Sequence, residues 1–276
     1  MYELMKVALI QMDSVLGDKD KNTEHALFLA KKAVKEGANL LVFPEMFNTG
    51  YELSVLGPDM NGLSETDKSH ETVDVFMGFA KDNLVDIIFT IPYFHTNRTG
   101  KPNISSFYVD SKGEIKAIQD KNHLFGDEKI YFETGSDYPV FDTRFGKVGM
   151  MVCYDANFPE PARILTLEGA LCIFCTAAWR AQDIRLFDMI MPQRAAEEVS
   201  YVVACNRFGI DNGRYCPGHS QICSPEGKIL NLGAECEEII YQEIRLDKTE
   251  DYRENIPYLN DLLPIEIPKY LNGPVQ

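Results

Sequence analysis

Basic residues are scarce: 27 Lys and Arg stand against 42 Asp and Glu, a formal charge of -15. So acidic a surface repels phosphate backbones and anionic headgroups, which excludes nucleic acid and membrane surfaces as partners. Long apolar runs are lacking as well, and no segment has the roughly 20 apolar residues that a bilayer span needs. The opening stretch MYELMKVALIQMDS has a short apolar run and no small-residue cleavage site, so it does not read as a secretory signal. There is one tryptophan, Trp179, and there is no repeat, low-complexity tract or composition break to mark a domain boundary. A single domain over residues 1–276 is expected. Cysteine pairing is also missing: seven is an odd number, and Cys172, Cys175, Cys205 and Cys223 lie in apolar, strand-like surroundings where thiols pack as small hydrophobes. The expected compartment is a reducing cytoplasm.

What is present is an alternation of short apolar runs and amphipathic stretches. Residues 6–12, 40–43 and 87–93 read as buried strands. Between them, Ala26, Leu29, Ala30, Ala33 and Val34 share one helical face, and Thr72, Val75, Phe76, Phe79 and Ala80 share another. Gly37 stops the first helix. Residues 106–110 with 115–119, and 141–143 with 148–153, read as hairpins. A helix from Pro159, a strand over 171–176, a helix over 193–199, a strand over 201–206 and a hairpin across Pro225-Glu226-Gly227 follow. Strands outnumber helices, which suits an α/β fold of layered sheets covered by helices. From about Lys248, the prolines Pro257, Pro264 and Pro268 oppose a regular element, so 248–276 is expected to be an arm packed on a surface.

Three polar residues each close an apolar strand: Glu45 after LLVFP, Lys121 after IKAIQD and Cys153 after VGMMV. A strand end holds a side chain rigidly at the rim of a sheet, where open α/β sheets place reacting groups. If these three ends converge, they suffice for acyl transfer. Glu45 takes the thiol proton, Cys153 attacks, and Lys121, with the backbone N–H of Tyr154, lowers the thiol's pKa and stabilises the developing negative charge.

FPEMFNTGY (43–51), DKNHLFGDEKIYFETG (120–135) and GMMVCYDANFPEPAR (149–163) resemble the three catalytic blocks of the nitrilase (carbon–nitrogen hydrolase) superfamily. TAAWR (176–180), PQRAAEEVSYVVACNRFG (192–209) and GHSQICSPEGKIL (218–230) extend the resemblance over nearly the whole chain. It implies a four-layer α-β-β-α sandwich, a homodimer or larger assembly pairing through its helical layers, and a Glu45-Lys121-Cys153 triad. Glu128 matches a second glutamate that positions the substrate, and no metal or organic cofactor is implied. Tyr51, Tyr154, Asn157 and Trp179 are candidate substrate-binding residues. Asn206 and Arg207 look familial and could equally anchor a loop.

Cys172 and Cys175 have C-x-x-C spacing, but strand alternation sends their thiols to opposite faces and no second pair completes a zinc site. His123 and His219 invite a rival Cys–His mechanism. Cys153 is followed by Tyr154-Asp155 rather than Trp-Glu, which by resemblance favours amides over nitriles. Ala156 and Asn157 stand where N-carbamoyl amino acid hydrolases tend to carry arginines. Such a clamp would have to come from Arg180 or Arg207. The expected substrate is a small carboxamide; the alternatives are an N-carbamoyl compound and, behind it, a nitrile or a binding member that has lost its activity.

Overall fold

Side-chain alternation along single strands decides the architecture. Leu41 and Phe43 enter one apolar cluster while Leu40 and Val42, alternating with them, enter another. A strand buried on both faces belongs to a sheet covered on both sides. The computed structural model, which describes residues 2–95 and 100–262, shows what covers it.

The first half of the chain runs β1 (Met5–Gln11), α1 (Lys19–Lys35), β2 (Leu40–Glu45), the single turns α2 (Leu53–Leu56) and α3 (Met60–Leu63), β3 (Glu65–Thr66), α4 (Glu71–Asn83), β4 (Asp86–Phe94), β5 (Asn103–Val109) and β6 (Ile115–Asp120). Next come α5 (Glu128–Tyr131), β7 (Val140–Thr143), β8 (Gly146–Val152), α6 (Pro159–Leu167), β9 (Cys172–Ala177), α7 (Ile184–Glu198) and β10 (Tyr201–Asn206). β11 (Phe208–Asp211), β12 (Arg214–Pro217), β13 (Gln221–Cys223), β14 (Ile229–Leu232), β15 (Glu238–Ile244) and α8 (Asp247–Asn255) complete the described chain.

One sheet has the order β15, β1, β2, β4, β5, β6, with β3 beside β4; the other has β14, β13, β10, β9, β8, β7. Three apolar clusters separate four layers. Ala26, Leu29, Ala30 and Ala33 of α1, with Val73, Phe76, Phe79 and Ala80 of α4, pack on Ala8, Ile10, Leu41, Phe43, Ile87 and Phe89. The reverse face of that sheet, through Val7, Leu9, Leu40, Val42 and Ile88, meets Val148, Met150, Cys172, Phe174, Val203 and Cys205 of the second sheet. The second sheet's outer residues, Met151, Ile173, Cys175, Val202 and Ala204, lie under Ala162 and Leu165 of α6 and Phe187, Met191 and Ala195 of α7. The order is therefore α-β-β-α, as expected. Cys172 and Cys175 fall into different clusters on opposite faces of β9.

Four expectations need correction. In α4 the buried valine is Val73, while Val75 is exposed. α7 begins at Ile184 and continues through Pro192 to Glu198. The proline removes one backbone donor, but Phe187, Met191 and Ala195 flank it on one buried face, and that packing sustains the helix. β15 was not anticipated; it pairs antiparallel with β1 along its whole length, Met5 opposite Ile244 through Gln11 opposite Glu238. The arm contains a regular helix, α8, where none was expected. Its Arg253 donates to the Val199 and Ala170 carbonyls and to Ser200 Oγ, and Thr249 Oγ1 donates to the Leu171 carbonyl, so it packs over the starts of β9 and β10, the central strands of the second sheet. Pro264 and Pro268 lie outside the described residues. Among the described residues, no helix is long and apolar enough to cross a membrane.

Candidate active site

Glu45 ends β2, Lys121 follows β6 and Cys153 follows β8. Two sheets thus deliver three strand ends to one place. The Lys121 ammonium, fully buried, donates to Glu45 Oε1 at 2.7 Å and to Glu128 Oε1 at 2.7 Å. An uncompensated ammonium could not be buried so, and the two carboxylates, also at zero exposure, keep it charged. Two of its three protons are engaged, which leaves one free to donate.

The two glutamates differ in what remains available. Both oxygens of Glu128 are engaged: Tyr51 Oη donates to Oε1, and the Phe125 backbone N–H donates to Oε2 at 2.7 Å. Glu45 Oε2 is buried and makes no well-formed hydrogen bond, although the Cys153 thiol is near enough to lower the carboxyl's proton affinity. Burial dominates at Glu45 and raises its pKa above the ordinary carboxylate value; Lys121 opposes this and Glu128 adds to it.

The Cys153 thiol departs from expectation. Its pKa is pushed well up, first by burial and then by the Glu45 charge, and the lowering influence of Lys121 does not compensate. The resting sulfur is a neutral thiol beside a carboxylate with a free oxygen. Its backbone is left-handed, with φ 49°, a conformation that costs energy outside glycine and recurs at functional turns. The Asp155 carboxylate secures that turn. It accepts from the Val152 backbone N–H at 3.0 Å and from the His123 N–H at 2.9 Å, tying the cysteine's strand end to the loop that follows Lys121. Tyr154 is the second residue of a single turn, Cys153–Asn157, whose first N–H groups find no partner within it.

A cavity of about 530 Å³, open to solvent, reaches Cys153. Tyr51, Tyr154, Asn157 and Trp179 all line it, together with Phe125, Ala178, Arg180, Asp183, Leu186 and Arg214. Of the four chemistry-bearing side chains, Cys153 lines the cavity, while Glu45, Lys121 and Glu128 are fully buried and are not part of the lining. Trp179 is held by Asn206, which accepts from the Trp179 N–H at 2.7 Å and donates to its carbonyl at 3.2 Å.

Neither rival histidine lines this cavity. His123 stacks on Phe158 and bonds Asp155, and His219 bonds Asp188. Arg207 is fully buried against Asp211 and Asp13 and cannot serve as a clamp; its partner Asp211 also accepts from the Tyr51 N–H at 2.9 Å. Arg180 does reach the cavity, bonded to Asp183 at 2.6 Å. The residue that sequence reading missed is Arg214. It follows Asn212-Gly213, both at positive φ, in the tight turn between β11 and β12, and an Asn-Gly pair is a strong hairpin signal.

The sequence matches the family described as "Carbon-nitrogen hydrolase" over residues 6–254. The chain belongs to that family. Among curated relatives, a protein of Pyrococcus abyssi named "Nitrilase" is 34% identical over 261 residues, 94% of this chain and 95% of that one. The "2-oxoglutaramate amidase" of Bacillus subtilis is 30% identical over 266 residues, 93% of this chain and 96% of its own. Among solved structures, a Saccharomyces cerevisiae member of branch 10 of the nitrilase superfamily superposes with a TM-score of 0.85 at 27% identity, covering 92% of this chain and 95% of that one.

Proposed function

We propose that this carbon–nitrogen hydrolase converts small carboxamides to carboxylic acid and ammonia through a thioester on Cys153. The observation that carries the reading is the free, buried Glu45 Oε2 beside a neutral thiol at the floor of an open cavity. The thiol proton passes to Glu45 as sulfur attacks the carbonyl carbon. The oxyanion is met by the remaining Lys121 proton and the Tyr154 backbone N–H. Glu45 then protonates the departing nitrogen; ammonia leaves, and the same carboxylate takes a proton from the water that cleaves the thioester. Glu128 holds Lys121 in place, while Tyr51, Tyr154, Asn157 and Trp179 bind the substrate.

Intact-mass spectrometry of the protein mixed rapidly with acetamide or butyramide tests this. The expected acyl adduct maps to Cys153, and an adduct that persists in Cys153→Ala would refute the assignment. Product analysis with N-carbamoyl compounds, scored by carbon dioxide release, decides the alternative.

The wider setting follows from the same features. Support for a cytoplasmic location comes from seven free cysteines, six of them buried. A homodimer is supported by the exposed apolar residues Ile164 and Leu167 on α6 and Leu186 and Met189 on α7, a face that gains by pairing. Light scattering of the wild type beside Leu167→Asp checks this, and a monomer in both would end the idea. The whole chain acts as one domain.

A further inference from the structure

The seam between the two sheets turns polar at the end nearest Cys153. Ile88 and Phe174 belong to its apolar part, and two residues further along the same strands stand Thr90 and Thr176, both buried. Side chains two apart on a strand share a face, so the threonines point into the seam from opposite sheets. Their hydroxyls meet, Thr90 Oγ1 to Thr176 Oγ1, at 2.6 Å. A buried hydroxyl is unfavourable unless it is bonded. Valine has the same shape and would fill either place, so packing alone does not account for the pair.

Each threonine is paired with the strand segment that carries a reacting group. Thr90 lies opposite Glu45, and Thr176 lies opposite Val152, the residue before Cys153. The pairing of β2 with β4 steps from Val42 opposite Ile88 to Glu45 opposite Thr90, so β2 holds one extra residue there. That extra residue turns Glu45 to the seam face, where Leu40 and Val42 already point. In unbroken register Pro44 would stand opposite Thr90, and the carboxyl would face the helices. The Thr90 carbonyl also accepts from the Met46 N–H at 2.9 Å, which holds the chain beyond Glu45 as well. Met46 and Cys153 both take left-handed backbone, φ 52° and 49°, so both chains turn away at the strand ends that the threonines flank.

We infer that Thr90 and Thr176 are positioning residues: their hydrogen bond pins the two sheets where Glu45 and Cys153 leave them, and so sets the distance over which the thiol proton travels. This rests on the acid–base reading above and goes beyond it by naming what holds the two groups in register. Apolar contact along the rest of the seam is non-directional and tolerates sliding. A hydrogen bond is short and directional. A misplacement of about 1 Å between reacting groups is enough to cost about 100-fold in rate.

The test compares wild type, Thr90→Val/Thr176→Val and Thr90→Ser/Thr176→Ser, each with and without Glu45→Gln, on the full-length protein. The readouts are alkylation of Cys153 by fluoroacetamide and hydrolysis of acetamide. Removing both hydroxyls together leaves neither without its partner, so the valine pair should match the wild type in urea denaturation. Its alkylation at pH 7 should be slower by about 10- to 100-fold, with kcat for acetamide falling likewise and KM unmoved. The serine pair keeps the hydroxyls and should recover most of the rate. In the Glu45→Gln background the valine pair should cost less than about threefold, because no base remains to be positioned. A merely structural role would slow alkylation equally in both backgrounds; that result, or a valine pair as fast as the wild type, would overturn the inference. If the valine pair does not fold, Thr176→Val alone carries the same comparison. Should Glu45→Gln by itself leave alkylation unchanged, the acid–base reading fails, and crystal structures of the wild type and the valine pair decide the pin. A Glu45–Cys153 separation wider by about 0.5 Å in the valine pair sustains it, and an unchanged separation excludes it.

Discussion

A neutral thiol beside an unengaged carboxylate makes a specific statement about how alkylation of Cys153 depends on pH. An ordinary cysteine reacts as its thiolate, so its rate climbs about tenfold per pH unit until the pKa near 8.5. Here burial and the Glu45 charge push the thiol well above that value, and unassisted reaction at pH 7 should be very slow. With Glu45 as base, the rate instead follows ionisation of the carboxyl. Because the Glu45 pKa is raised, the base is lost, as pH falls, at a higher pH than for a free glutamate. The profile with fluoroacetamide should therefore rise on the acid side, level off once the Glu45 carboxyl is ionised and show no step near 8.5. Glu45→Gln should lose the plateau, with the rate at pH 7 down by about 10²- to 10⁴-fold, the usual worth of a positioned base. Stopped-flow alkylation followed by peptide mapping measures this. A wild-type profile with one titration near 8.5, unchanged in Glu45→Gln, would refute the reasoning.

Two further outcomes concern stability. Asp155→Asn weakens the acceptor shared by the Val152 and His123 N–H groups; a loss of about 1–3 kcal/mol in urea denaturation is expected, together with slower Cys153 alkylation, and unchanged values for both would separate Asp155 from the cysteine turn. Glu198, buried beside Arg163 at 2.9 Å, has its pKa pushed up to about 7 by desolvation. A carboxyl raised on folding favours the folded state below its unfolded pKa near 4.5 and loses that contribution as pH rises through about 7. The wild type should therefore lose stability between pH 5 and 8 relative to Glu198→Gln, and parallel melting curves for the two proteins would contradict this.

Much of this molecule was legible because burial on two faces leaves a plain signature. Residues 40–43 are continuously apolar, and β2 lies between two covered faces. Pro159 opens α6 and β10 occupies 201–206, each as local chemistry required. The three strand-end residues Glu45, Lys121 and Cys153 could be picked out because motif and position agreed, and the fold does bring them together. What escaped notice was set by tertiary contact. β15 reads as an ordinary mixed segment, EIIYQEI, and its place beside β1 follows from a pairing more than 200 residues apart, Met5 with Ile244. α7 ignores its proline because one face is buried. The thiol's charge state depended on how deeply three acids and bases were enclosed, which no motif encodes. Arg214 could have been suspected from its Asn-Gly turn, but that it enters the cavity over Tyr51 is a fact of three-dimensional placement.

The division of labour between the sheets has a consequence for assembly. Glu45 and Lys121 ride on one sheet and Cys153 on the other, and they are brought together by the apolar seam of Val7, Val42, Met150 and Phe174 and by the Asp155 bonds to Val152 and His123. Until that seam closes, the nascent chain carries an inert sulfur and a distant acid. Chemical competence is then a late certificate of correct docking, issued only when both halves have met.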